Sequence, residues 1–170
     1  MIWRSIVIGA VLLAAVVLQT TVFARFTVLG FRPDLLLLVV LAVAVRDGPL
    51  AGARVGAVAG LLTDLLVTAA PMGVMVLVHT TIGHLTGIAR PYLAPGSVTA
   101  PVVLAGVTGA VATATYGALA GALSDTGVAA SLLAEAAVIV GLTNMLLAPF
   151  VFLVTDRIVE RFPLRGAATE

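Results

Sequence analysis

The chain has 170 residues, of which 61% are hydrophobic and only 10% are charged, and its formal net charge is +1. An ordinary soluble domain is about 25% charged, so this chain has too few polar groups to cover its surface in water. The near-neutral charge provides no basic patch for nucleic acid, and the absence of cysteine excludes disulfides and thiol chemistry. We therefore expect a single integral-membrane domain, residues 1–170.

Six apolar segments predict six transmembrane helices, because a helix needs about 20 apolar residues to cross a bilayer. These segments cover residues 5–23, 34–45, 49–68, 72–89, 98–123 and 132–155. The connections between them are short and rich in Gly, Pro, Asp and Ser, which is typical of turns. The predicted fold class is an all-α membrane protein, built as a compact bundle of six transmembrane helices.

The first segment has a second interpretation as a cleaved signal peptide. Residues 1–4 form a short basic start, residues 6–18 an apolar core, and "VFA" at 22–24 is weakly similar to a cleavage site. Arg25 directly follows that site, and several further apolar segments come after it. We therefore expect the first segment to be retained as a membrane helix.

The second segment is unusually short for a membrane crossing. Its 11 apolar residues, 35–45, would extend only about 17 Å as a helix, against a hydrocarbon core of about 30 Å. The preceding "GFRPD" predicts a turn in which Pro33 opens the helix and Asp34 lies near its positive N-terminal end. Two interpretations remain open. Asp34 is a simple interfacial cap, or Arg32 and Asp34 form a buried ion pair at the edge of a cavity or partner surface.

Glycine recurs at every fourth position in "AGARVGAVAGLLTDLL", at Gly52, Gly56 and Gly60. In a bilayer, small residues drive helix association because they let two backbones approach closely. Gly83 and Gly87 form a second ridge on the fourth segment. A third ridge on the fifth segment contains Ala105, Gly109, Thr113, Gly117 and Gly121. Each ridge is expected either to pack inside the bundle or to dock another membrane protein.

Asp64 continues the first ridge and falls near mid-membrane, where insertion of an aspartate costs about 2.5 to 3.5 kcal/mol. Its side chain must therefore face protein or trapped water, or else be protonated. A tight turn at residues 68–73 would fold the fourth helix back onto the third and place His79 within one turn of Asp64. We predict that Asp64 faces the bundle interior near His79. Asn144 is expected to form an interhelical hydrogen bond rather than to bind a ligand.

The inventory of chemically active groups is nearly empty. There is no H-E-x-x-H, G-x-S-x-G or Walker motif, and His79 and His84 are too far apart around a helix to share a metal easily. We expect no enzyme activity, no cofactor and no metal site. The predicted polar core, which is structural, comprises Arg32, Asp34, Asp64, His79 and Asn144. Two function classes remain: a scaffold for partner proteins, and a solute binder with a cavity around Asp64, His79 and Arg32.

The arginines predict the orientation of the bundle. Six crossings place both termini on one side, and that side would carry seven arginines against two on the other. The basic side of a membrane protein faces the cytoplasm, so both termini are expected there. The larger set is Arg4, Arg46, Arg54, Arg90, Arg157, Arg161 and Arg165, and the smaller set is Arg25 and Arg32. The amphipathic end of the chain is expected to lie at the inner interface or to form a docking surface.

The stretch "RPDLLLLVVLAVAVRDGPLAGARVGAVAGLLTDLL" at residues 32–66 resembles the MreD family of rod shape-determining proteins. The positions that match its motifs are Arg32, Pro33, Asp34, Gly48, Pro49, Gly52, Gly60 and Asp64. The continuation "PMGVMVLVHTTIGHLTG" resembles the family's next turn and helix, whereas "VTAA" at 67–70 departs from the glycine-rich turn expected there. The resemblance is specific over about residues 32–90.

The resemblance implies a role in the bacterial cell-elongation machinery, the elongasome, in the inner membrane. Members bind MreC, a bitopic protein with a periplasmic domain, and link actin-like MreB filaments to peptidoglycan synthesis. The synthetic partners are a RodA-type glycosyltransferase and a class B penicillin-binding transpeptidase. The implied fold is similar to the substrate-binding subunits of energy-coupling-factor transporters, and no catalytic residues are implied. We therefore expect a non-enzymatic scaffold that controls cell shape.

The alternative is a solute-binding membrane subunit of a transporter. Vitamin-binding subunits of that kind display aromatic and polar groups towards an outer pocket. The aromatic content here is only 5%, and the predicted outer loops are small, so the composition favours the scaffold.

Overall fold

The computed structural model describes residues 2–66, 71–93, 99–124 and 129–161. Its elements are α1 (Ile2–Thr21), α2 (Leu35–Asp47), α3 (Pro49–Leu66), α4 (Val74–Ala89), a 3₁₀ turn at Arg90–Tyr92, α5 (Thr99–Ser124) and α6 (Ala130–Glu160). These ranges contain no β-strand. All six helices lie within a few residues of the predicted segments, so the all-helical class is confirmed. The "VTAA" segment, Arg165 and the amphipathic end beyond residue 161 lie outside the described residues.

Ion pairs at one end of the bundle show how the helices are oriented. Arg4 at the start of α1 pairs with Asp47 at the end of α2. Arg46, also at the end of α2, lies 3.4 Å from Asp156 near the end of α6. The starts of some helices therefore meet the ends of others, which requires α1 to run opposite to α2 and α6.

The remaining helices continue this alternation. Gly87 near the end of α4 packs against Pro49 at the start of α3. Pro101 near the start of α5 lines the same surface pocket as Arg46 and Asp156. The starts of α1, α3 and α5 and the ends of α2, α4 and α6 therefore share one end of the bundle, which we call the basic end.

Helix α2 is the centre of the bundle. Residues 35–44 are all buried, and α2 contacts each of the other five α-helices. This complete enclosure explains why its sequence is uniformly apolar rather than amphipathic. Its 13 residues extend about 20 Å. Because protein surrounds this short helix, it does not need to match the thickness of the lipid.

The glycine ridge of α3 packs directly on the backbone of α4. A Cβ atom placed on Gly56 would lie within 3 Å of backbone atoms of His79 and Thr80. Gly52 and Gly83 face each other across the same contact. Only a hydrogen at these positions leaves room for the two backbones. This ridge therefore serves the interior of the bundle, as do Gly60 against Val76 and Gly87 against Pro49.

The contact between α5 and α6 uses small residues in a similar way. A Cβ atom placed on Gly109 would lie 2.6 Å from the side-chain amide nitrogen of Asn144, and Gly117 packs on Leu133. Gly121 is half-buried near the end of α5. The closest backbone approach lies between Gly106 and Gly141, a pair that the sequence reasoning did not single out. Ridge residues of both hairpins, such as Gly56, Gly87, Gly109 and Gly117, thus pack within the chain.

The outer surface of the bundle is apolar, as a lipid environment requires. Large hydrophobic side chains such as Leu13, Val107 and Leu146 are more than half exposed. Four described helices are long and apolar enough to cross a membrane, namely those over Trp3–Thr21, Pro49–Leu66, Thr99–Leu123 and Ala130–Glu160. The chain is therefore a multi-pass membrane protein, in which α2 and α4 are shorter than the four candidate spans.

Candidate functional site

The polar groups inside the bundle converge on the N-terminal end of α2, where Asp34 is the central residue. One carboxylate oxygen, Oδ1, accepts a hydrogen bond from the backbone N–H of Leu37 at 3.0 Å and so caps the helix. The other oxygen, Oδ2, lies 3.1 Å from Nε2 of His79 on α4. Pro33 is buried directly before the cap. Asp34 is thus a helix cap, as one of the two interpretations held, and it lies inside the protein.

His79 is completely buried, and its two ring nitrogens have different neighbours. Nδ1 lies 3.0 Å from the backbone carbonyl oxygen of Met75, so it must carry the hydrogen of that bond. Nε2 lies 3.1 Å from Oδ2 of Asp34, a close contact that does not have the geometry of a hydrogen bond. A single proton shared by the pair would leave it without net charge, which would lower the cost of its burial at this depth.

Asn144 connects the cluster to α6. Its side chain is fully buried, and its Oδ1 accepts a hydrogen bond from the backbone N–H of Asp34 at 2.8 Å. Asn144 lies at the middle of the 31-residue α6, so the start of α2 is drawn deep into the bundle. Asn144 therefore forms an interhelical hydrogen bond that satisfies a buried donor at the start of α2.

Asp64 caps a different helix. Its carboxylate accepts hydrogen bonds from the backbone N–H groups of Gly73, Met75 and Val76 at 2.8, 3.1 and 3.2 Å. These donors form the first turn of α4, whose positive end favours an anion. Gly73 has a φ of 105°, a left-handed conformation that a side chain would strain. Asp64 is buried as expected, with 6% of its surface exposed, and it fixes the α3–α4 turn.

Asp64 lies near His79, as predicted, but the two side chains are joined through Met75 rather than directly. Met75 stands between them, because its N–H donates to Asp64 and its carbonyl accepts from His79. The partner of His79 is Asp34. Folding the fourth helix back onto the third placed His79 within one turn of Asp64, but it did not show that Asp34 on α2 lies closer to His79.

Arg32 does not belong to the polar core. Its side chain is exposed, and in the described ranges it forms no ion pair. The interpretation of Arg32 and Asp34 as a buried ion pair is therefore corrected, because Pro33 and the turn separate their side chains. Asp34 faces His79 inside, whereas Arg32 faces the surroundings of the bundle.

Two polar contacts were missed by the sequence reasoning. Gln19 on α1 accepts a hydrogen bond from the backbone N–H of Leu35 at 3.1 Å, which satisfies another free donor of α2. Arg4 and Asp47 form an ion pair at the basic end with only 8% of each side chain exposed. For Gln19, the sequence offered one signal: a polar residue within a mostly apolar helix. In a membrane protein such a residue needs a partner inside the protein.

The family model described as "rod shape-determining protein MreD" matches residues 2–158, nearly the whole chain. The chain belongs to the MreD family. Comparison with curated proteins and with solved structures gave no match. The family acts in rod shape determination and is a family of structural membrane proteins rather than of enzymes.

In this MreD-family chain, the polar cluster joins helices rather than presenting reactive groups to an open cavity. Side chains from α1, α3 and α6, together with Asp34 itself, bind backbone N–H groups at the starts of α2 and α4. Among the described residues, no three His, Asp or Glu side chains converge to hold a metal ion. The arrangement can therefore fix the positions of the helices.

Proposed function

We propose that this MreD-family protein is a non-enzymatic scaffold of the bacterial elongation complex in the inner membrane. In this role it binds MreC and helps couple MreB filaments to peptidoglycan synthesis by a RodA-type glycosyltransferase and a class B penicillin-binding transpeptidase. The family match supports the role in cell shape. The observation that carries the scaffold role is the internal use of the buried polar groups, which bind backbone donors and one another.

The proposed topology has six crossings with both termini in the cytoplasm, as in the substrate-binding subunits of energy-coupling-factor transporters. The alternating helix directions support an even number of crossings. Helix α2 crosses as a short helix because neighbouring helices cover it, so its length need not match the lipid. Helix α4 crosses as a short helix of 16 residues with side chains such as Leu77 exposed on its outer face. The described arginines of the basic end support its cytoplasmic location: Arg4, Arg46, Arg54, Arg90, Arg157 and Arg161.

Co-purification from native membranes tests the scaffold role. The full chain is tagged, extracted in mild detergent and analysed by mass spectrometry, with an unrelated multi-pass protein of similar abundance as the control. We expect enrichment of a single-span protein that has a periplasmic domain. Enrichment of a transporter ATPase module in its place, or solute flux by the reconstituted chain, would favour a solute-binding subunit and contradict the proposal.

A further inference from the structure

A groove between α1 and α6 is open on the outside of the bundle and has α2 as its floor. Its volume is about 300 Å³. The lining includes Ala14 and Leu18 from α1, Val39 from α2, and Val151 from α6. Thr155 is the only lining residue among those described with a polar side chain. The groove therefore suits an apolar ligand from the bilayer that makes one polar contact.

The hydroxyl of Thr155 is the second observation that indicates a ligand. Thr155 is 2% exposed, and its Oγ1 has no hydrogen-bond partner among the described residues. Several other helical threonines bond back to their own helix, as Thr143 does to Ile139 at 2.9 Å and Thr63 to Ala59 at 3.0 Å. Thr80 shares the lack of a partner, but it does not line the groove. A buried hydroxyl without a partner is unfavourable, so an acceptor in the groove would stabilise it.

A positive charge lies where the groove reaches the basic end. The groove residues of α6 follow one helical stripe that includes Val151, Thr155 and Ile158. Arg161, which is exposed, lies seven residues after the lining residue Val154 and therefore on the same face of α6. Arg161 lies six residues beyond Thr155, a rise of about 9 Å along the helix axis. A ligand in the groove can therefore place an anionic group beside Arg161 and an uncharged acceptor beside Thr155.

We propose that the groove holds one acyl chain of a phospholipid, with an ester carbonyl bonded to the Thr155 hydroxyl and the phosphate beside Arg161. A partner's transmembrane helix fits less well, because a helix with its side chains is about 10–12 Å across. Most of the described lining residues are Val, Leu, Ile or Phe rather than small residues, which leaves a helix backbone little room to approach closely there. The groove thus binds lipid, a property additional to the scaffold role.

Native mass spectrometry of the full chain tests this site. The protein is taken from nanodiscs of equal parts phosphatidylglycerol and phosphatidylethanolamine into detergent, and retained phospholipid is counted. Ala14→Phe fills the groove, and Ala118→Phe makes the same change at an exposed position of α5 as the matched control. We expect one phospholipid per chain in the wild type and in Ala118→Phe, and at least tenfold less in Ala14→Phe.

Two further variants test the polar contacts. Thr155→Val keeps the shape and removes the hydroxyl, so we expect retention to fall about twofold to tenfold, as for loss of one hydrogen bond. Arg161→Gln should remove the preference for phosphatidylglycerol. Equal retention in Ala14→Phe and Ala118→Phe, binding of detergent only, or a cross-link from residue 14 to a partner's helix would overturn the lipid site. None of these outcomes depends on which partner co-purifies.

Discussion

At the scale of single residues, the buried polar side chains lie where helix starts leave backbone N–H groups without partners. A helix start buried away from water leaves several N–H groups without partners. Here Asp34, Gln19 and Asn144 accept from three N–H groups at the start of α2. Asp64 does the same for α4. Hydrogen-bond acceptance, more than charge, is therefore what these side chains contribute.

Substitutions of Asp34 can show whether its role is to accept hydrogen bonds or to supply a negative charge. Asp34→Asn keeps an oxygen for the Leu37 N–H, and its amide can donate to Nε2 of neutral His79, so we expect a change within about 1 kcal/mol in unfolding free energy. Asp34→Leu leaves both Leu37 and His79 unpaired and should cost about 2 to 5 kcal/mol. Unfolding in detergent measures both variants. A loss in Asp34→Asn as large as that in Asp34→Leu would show that the charge is required.

Substitutions of Asp64 should lower the melting temperature in graded steps. Its Oδ2 accepts from Gly73 and Val76, and its Oδ1 accepts from Met75. Asp64→Asn can keep the first two bonds but places an NH₂ group against the Met75 donor, whereas Asp64→Leu loses all three. We expect the melting temperature to order as wild type, Asn and then Leu. Identical melting of the two variants would refute the capping role.

At the scale of helices, sequence patterns predicted the elements better than their partners. The glycine spacing and the turn residues gave the α3–α4 hairpin, because both signals are local. The pairing of Asp34 with His79 joins residues 45 positions apart, and that of Gly106 with Gly141 joins 35 positions. Such pairings depend on how helices pack, which one sequence does not encode as a local pattern.

Close backbone contact makes α3 sensitive to side-chain size. Gly56→Leu would drive a side chain into the backbone of His79 and Thr80, so we expect loss of the folded bundle in detergent and of partner recovery. Gly9→Leu is the matched control on α1, where a Cβ atom would meet nothing within 4 Å. Thermal aggregation of the two purified variants provides the comparison. Equal stability of Gly56→Leu and Gly9→Leu would contradict this packing.

At the scale of the whole molecule, composition was sufficient to predict a multi-pass helical membrane protein. The central position of α2 was not predicted, because a short apolar run reads equally as a short crossing or as a helix enclosed by others. Ten consecutive buried residues show that α2 is enclosed by the other helices. Similarly, "GFRPD" suggested a partnership between Arg32 and Asp34, but the turn directs them to different surroundings.

The proposed topology can be tested with single cysteines, because the natural chain has none. Tyr92 is 87% exposed at the basic end, and Phe26 is 69% exposed at the other end. We expect a membrane-impermeant thiol reagent to label Phe26→Cys in cells whose outer barrier is opened, and Tyr92→Cys only after the inner membrane is disrupted. Labelling of both residues from the same side would contradict the six-crossing arrangement.

The scaffold role itself is tested most directly by removing titration from the polar cluster while keeping its hydrogen bonds. The variant Asp34→Asn/His79→Gln has amides at both positions, which donate and accept but do not titrate. Cells of the natural host that carry only this variant should keep their shape and the co-purifying partner. Rounded cells that contain normal amounts of the folded variant in the membrane would show that proton or solute chemistry, not scaffolding, is its function.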